Sequence, residues 1–149
     1  AKKHKATEIV TTGGIGLHEA PEHPRVFITG NSKEIIQKYS KDTGVETKIH
    51  GVVGPIVGVS GLLVGLGKMR QMDAVALLAE TFGHPMYLGV KGAKEIIRVL
   101  SVVHGLKINL NKLAKEILDL EKETIKRTQK MTALSQALKK GKSELSYIG

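Results

Sequence analysis

Between Gly51 and Gly67 the chain carries an uncharged apolar run. In it Gly54, Gly58, Gly61 and Gly65 recur at i, i+4, i+7 and i+11, and Lys68-Met69-Arg70 closes it. On a helix those four positions form one stripe without side chains. Each interior glycine costs roughly 1 kcal/mol of helix stability against alanine. Four on one face imply that a sheet or another helix packs there too closely for a larger residue. The run therefore predicts a buried crossover helix, with Gly54, Gly58, Gly61 and Gly65 as structural glycines and Pro55 near its first turn. A membrane span fits poorly: the run is at the lower length limit, glycine dilutes its apolarity, and a strand-like segment follows. A phosphate-binding loop also fails. Met69 stands where GxxxxGK[ST] needs a hydroxyl, and GxGxxG finds no third glycine in register.

At 149 residues the chain reads as one domain able to bury a core. It has no cysteine, which removes disulfides, thiolate metal sites and a cysteine nucleophile. The start, Ala1-Lys2-Lys3-His4-Lys5-Ala6-Thr7-Glu8, lacks the apolar core of a signal peptide, so the expected location is the cytoplasm. Aromatic residues make up 3% of the chain, with no Trp, which argues against base stacking on nucleic acid. The net charge is +9, and six Lys or Arg without any acid lie between Thr124 and Lys142. That stretch suits a solvated helix face, an acidic protein partner or nucleic acid, and charge alone does not choose among them.

The pattern along the chain alternates strands and helices. Glu8 to Thr12 is β-branched and stops at the Gly13-Gly14-Ile15-Gly16 turn. Leu17 to Pro24 is a loop and Arg25 to Thr29 a second strand. Asn31-Ser32 caps a helix from Lys33 to Ser40. Val45 to His50 alternates as a third strand. Asp73 to Ala79 is apolar almost throughout, as in a buried parallel strand. Glu80 to Gly92 reads as a loop. Ala93 to His104 reads as a helix with Ile96, Ile97, Leu100 and Val103 inward, ended by Gly105. From Asn109 or Asn111 a long helix is expected to reach about Lys140. Its first half should pack on the domain, and its second half should project with Ile125, Met131, Leu134 and Leu138 free for a partner. The expected architecture is α/β with a mainly parallel sheet, plus a long C-terminal helix.

Candidate chemistry is sparse. His18-Glu19-Ala20-Pro21-Glu22-His23 gathers possible metal ligands, but its prolines forbid a helix and no HExxH spacing exists, so no metal is expected. Glu80-Thr81-Phe82-Gly83-His84 and the Thr11-Thr12-Gly13-Gly14 turn both follow strands, where α/β folds place ligands. No set of nucleophile, base and oxyanion donor assembles from them. Turn chemistry and capping explain both segments, and no cofactor is expected.

One set of residues carries a resemblance. Thr12 to Gly16, Pro24 to Phe27, Gly54 to Arg70, Glu80 to Gly83 and the Lys91 to Leu100 helix are together similar to archaeal members of the PAC2 family, homologues of the eukaryotic proteasome assembly chaperones. The similarity runs from about Glu8 to Glu121. It implies a three-layer α/β/α sandwich, no catalytic activity, homo-oligomerisation, and binding to proteasome α-subunits or the α-ring. The resemblance implies that the chain looks like the C-terminal portion of the family unit, with residues 1–121 expected to form part of a PAC2-like domain and 122–149 a projecting basic helix and tail. Proteasome activators and some assembly chaperones end in hydrophobic-Tyr-any, which docks between α-subunits. Here the end is Leu145-Ser146-Tyr147-Ile148-Gly149, with Tyr147 third from last. The expected partner-binding residues are Leu145, Tyr147, Ile148 and Gly149 with Lys139 and Lys140. Two other functions compete: a phosphorylase-like or hydrolase-like small-molecule enzyme, and a nucleic-acid binder.

Overall fold

A computed structural model describes residues 6–49, 51, 54–84 and 87–110, and residues 112, 113, 115–117, 119, 120, 122–124, 126, 127, 130 and 131. Its elements follow in the order β1 (Glu8–Leu17), β2 (Val26–Gly30), α1 (Lys33–Ser40), α2 (Val59–Met69), β3 (Asp73–Phe82) and α3 (Val90–His104). The sheet order is β1-β3-β2. β1 lies parallel to β3 over its whole length, from Glu8 opposite Asp73 to Leu17 opposite Phe82. β2 runs antiparallel to β3, from Val26 opposite Ala79 to Gly30 opposite Val75.

The apolar run of β3 takes the central position because only there are both faces and both edges covered. Residues Ala74 to Glu80 are all buried. One face carries the core: Val75, Leu77 and Ala79 pack with Val26 and Ile28 of β2, Ile35 and Tyr39 of α1, and Ile96 and Val99 of α3. Against the other face lies α2. Two glycines let the helices close onto β3. A Cβ on Gly67 of α2 would stand 2.7 Å from the Ala74 Cβ, and one on Gly92 of α3 would stand 3.0 Å from the Ala79 Cβ and 2.9 Å from the Glu80 carbonyl oxygen.

Polar groups fix the ends. Ser32 Oγ accepts the Ile35 N–H at 3.2 Å to cap α1. Asn31 joins β2 to β3 through its amide, donating to the Met72 carbonyl at 2.8 Å and accepting the Ala74 N–H at 3.0 Å. Gly105, at φ 63°, ends α3 in the left-handed conformation that glycine adopts without strain. At the start of β1, Glu8 accepts from the Tyr39 hydroxyl at 2.6 Å and pairs with Lys38, and Tyr39 also meets His104 Nε2 at 2.8 Å. At the start of β2, the Glu80 carboxylate accepts the Arg25 backbone N–H and Nε, each at 2.9 Å.

The structure corrects several expectations. The sheet is mixed, not mainly parallel, because β2 enters antiparallel to β3; alternation in a sequence reports which face a residue takes, not strand direction. The long C-terminal helix is not an element of the described fold. Past α3, helical backbone is described only for scattered residues between Leu110 and Met131, and residues 132–149 lie outside the described residues. Ile117 is buried there, whereas Leu120 and Met131 are exposed; Ile125, Leu134 and Leu138 are not among the described residues. The segment starting at Val45 contributes one bridge, Glu46 beside Phe27, in place of a third strand. β1 does not stop at Gly13 but runs on to Leu17, since parallel pairing with β3 holds the glycines extended. β3 continues to Phe82, and α3 begins at Val90, so the expected loop is shorter at both ends.

The glycine-rich helix is shorter than its sequence run and faces otherwise. Gly54 precedes it and Gly58 is its N-cap residue, at φ 90°. Open space lies where a Cβ on Gly54, Gly58 or Gly65 would go. Gly61 alone of the four is crowded, against the Ile56 carbonyl oxygen, and the sheet contact falls to Gly67 instead.

Two outcomes are expected. Gly67→Leu and Gly92→Leu should each lose roughly 1–3 kcal/mol or more by overpacking β3, and Gly61→Leu should also destabilise. Gly65→Ala should instead gain up to about 1 kcal/mol from helix propensity. Thermal melts in which Gly65→Ala and Gly67→Leu behave alike would refute this assignment of faces.

The second outcome concerns acid. For Glu80 the Arg25 hydrogen bonds, opposed by burial, hold the carboxyl below its ordinary 4.5. For Glu8 burial acts upward, but the hydrogen bonds from Lys38 and Tyr39 outweigh it and the value is again lowered. A carboxyl lowered in the folded state resists protonation there. Its stabilisation is complete above the ordinary value and is lost as pH falls through the lowered one. Melting temperature should therefore drop steeply below about pH 4.5, and Glu80→Gln should flatten that drop while lowering stability at neutral pH. An unchanged acid profile in Glu80→Gln would contradict it.

Candidate functional site

The run of Gly13, Gly14 and Gly16 in β1 removes side chains from both faces of the sheet near the ends of its parallel strands. One cleft opens on each side. On the α3 side a cavity of about 300 Å³ lies between Thr12, Gly14, Thr81, Phe82, Tyr87 and the α3 start at Gly89 to Ala93. Phe82 stacks on His84, with ring centroids 5.5 Å apart, and meets Tyr87 edge-on at 5.8 Å, so one end of the cleft is aromatic. Gly14 is required there, because a Cβ would stand 2.9 Å from Thr81 Cγ2. On the α2 side a cleft of about 550 Å³ runs between Gly13 to Gly16 and the 54–57 segment, with Ser60 and Leu78 at its floor.

Neither cleft is built for acid–base work. Among the described lining residues the titratable group is Tyr87, with no Asp, Glu, Lys or Arg in either wall, and His84 stands behind Phe82 at the aromatic end. Glu80, singled out in the sequence, turns away: its side chain is 6% exposed and bound to Arg25, which in turn sits 5.1 Å over the Phe27 ring. The Arg25 guanidinium is the main cause of Glu80's lowered pKa, and Glu80 raises that of Arg25 in return. Hydroxyls and backbone groups are what the clefts offer, which suits recognition of a chain or a neutral group more than proton transfer.

The sequence set Thr11, Thr12 and Gly13-Gly14 at the end of one strand and Thr81 at the end of another, and the structure places Thr12, Gly13, Gly14 and Thr81 on one cleft. Thr11 is buried and donates to the Val75 carbonyl at 3.3 Å. His18, Glu19, Glu22 and His23 lie on the β1–β2 loop, and no group of three potential metal ligands occurs among the described residues. Leu145, Tyr147, Ile148, Gly149, Lys139 and Lys140 lie outside the described residues. Two features escaped the sequence reading. One is the Glu8–Tyr39–His104 cluster, whose members stand 31 and 65 positions apart in pairs. Burial and the neighbouring Glu8 carboxylate raise the Tyr39 hydroxyl well above its ordinary value, so it stays a proton donor. The other is the apolar outer face of α2. No helix among the described residues is long and apolar enough to cross a membrane.

The fold is one seen before. It superposes on Pyrococcus furiosus PbaA, an archaeal homolog of proteasome-assembly chaperone, with TM-score 0.70 and 24% identity, covering 99% of this chain and 59% of that one. It superposes on Pyrococcus furiosus PbaB, an archaeal proteasome activator, with TM-score 0.71 and 29% identity, covering 86% of this chain and 53% of that one. A Thermoplasma acidophilum protein of unknown function matches at TM-score 0.62 and 20% identity, covering 93% of this chain and 54% of that one. The chain thus spans little more than half the length of these relatives. No curated protein matches it in sequence. The sequence model of the PAC2 family matches residues 1–127, and the chain belongs to the PAC2 family.

Proposed function

We propose that this chain is a non-enzymatic proteasome assembly chaperone or adaptor that self-associates and binds proteasome α-subunits. The observation that carries the reading is the joint match to PbaA and PbaB, of which PbaB, the archaeal proteasome activator, is 29% identical over 86% of this chain. The clefts support it from the other side. Their walls hold hydroxyls, glycine backbone and aromatic rings but no base beside a nucleophile, which is the composition of a protein-recognition surface.

The contact to the α-ring is assigned to the basic segment and the terminal residues. Lys126, Arg127 and Lys130 precede Lys139, Lys140 and Lys142 without an intervening acid. A run of one sign steers association toward an acidic surface and should make binding fall with ionic strength. Leu145, Tyr147 and Ile148 then supply apolar side chains after Gly141-Lys142-Ser143.

The test is binding of the purified chain to an archaeal α-subunit ring. Deleting Leu145 to Gly149 should weaken it by at least about tenfold, or 1.4 kcal/mol, with melting temperature and mass unchanged. Undiminished binding of the truncated chain would move the contact to the domain body. No binding by the intact chain at low salt would overturn the α-subunit reading itself.

A further inference from the structure

We draw no further inference here: the strongest candidate, the cavity of about 300 Å³ between Thr12, Thr81, Tyr87 and the start of α3 at Gly89, belongs to the site already described, and nothing in the structure shows what would fill it.

Discussion

The small-on-small contact of two helix glycines with two alanines of β3 is the constraint on which the rest of the fold depends. β3 is the one strand with a partner on each edge and a helix on each face, and Ala74 to Glu80 are all buried. Gly67 over Ala74 and Gly92 over Ala79 set the distance at which α2 and α3 rest on the sheet. Larger residues at any of the four positions would lift a helix and open the core by the thickness of a side chain. Glu80 extends this burial into a charged residue, which would be costly unpaired. Arg25 meets it from the head of β2 with both side chain and backbone, so the ion pair also fixes where β2 joins β3.

Local signals carried much of this arrangement, and non-local ones did not. The Asn31-Ser32 cap, the α1 span, the buried central strand and the Gly105 stop were all legible, because each depends on residues within one turn of one another. On α3, Ile96 packs inward as the spacing required, but Val99, fully buried, was not among the residues picked out as inward. Strand direction was not legible. β1 and β2 differ in sense relative to β3, and the residues of a single strand do not encode the direction of its partner. The end of β1 was misread because glycines normally punctuate strands; here ten residues of pairing with β3 hold them extended. Of the candidate site, the meeting of Gly13-Gly14 with Thr81 was visible as two strand ends, but the bond from Glu80 to Arg25, 55 positions away, was not.

The glycine helix shows how a correct motif can lead to a reversed orientation. A stripe of small residues signals close packing, and the sequence cannot say on which side. Burial against this chain's own sheet is the economical assumption within one molecule. The structure turns the stripe outward, keeps only Gly61 crowded, and gives the sheet contact to Gly67, which stands off the repeat. Gly54 and Gly58 lie before the helix, and Gly58, its N-cap residue, takes φ 90°. The apolarity of the run is therefore only partly explained by the core. Val59, Leu62, Leu66 and Met69 remain as surface that nothing among the described residues covers.

Charge and apolarity are thus partitioned along the chain. The neutral segment from Gly51 to Gly67 holds no Lys or Arg, and the stretch from Thr124 to Lys142 holds six with no acid. These two regions answer to different physics. A neutral, knobbed helix face gains affinity at contact, through area removed from water, and is nearly indifferent to salt. A basic segment acts before contact, by raising the rate of encounter with an acidic surface, and weakens as ions screen it. The two ten-residue strands β1 and β3 pair along their whole length, with α2 on one face and the clefts beside β1 at their ends.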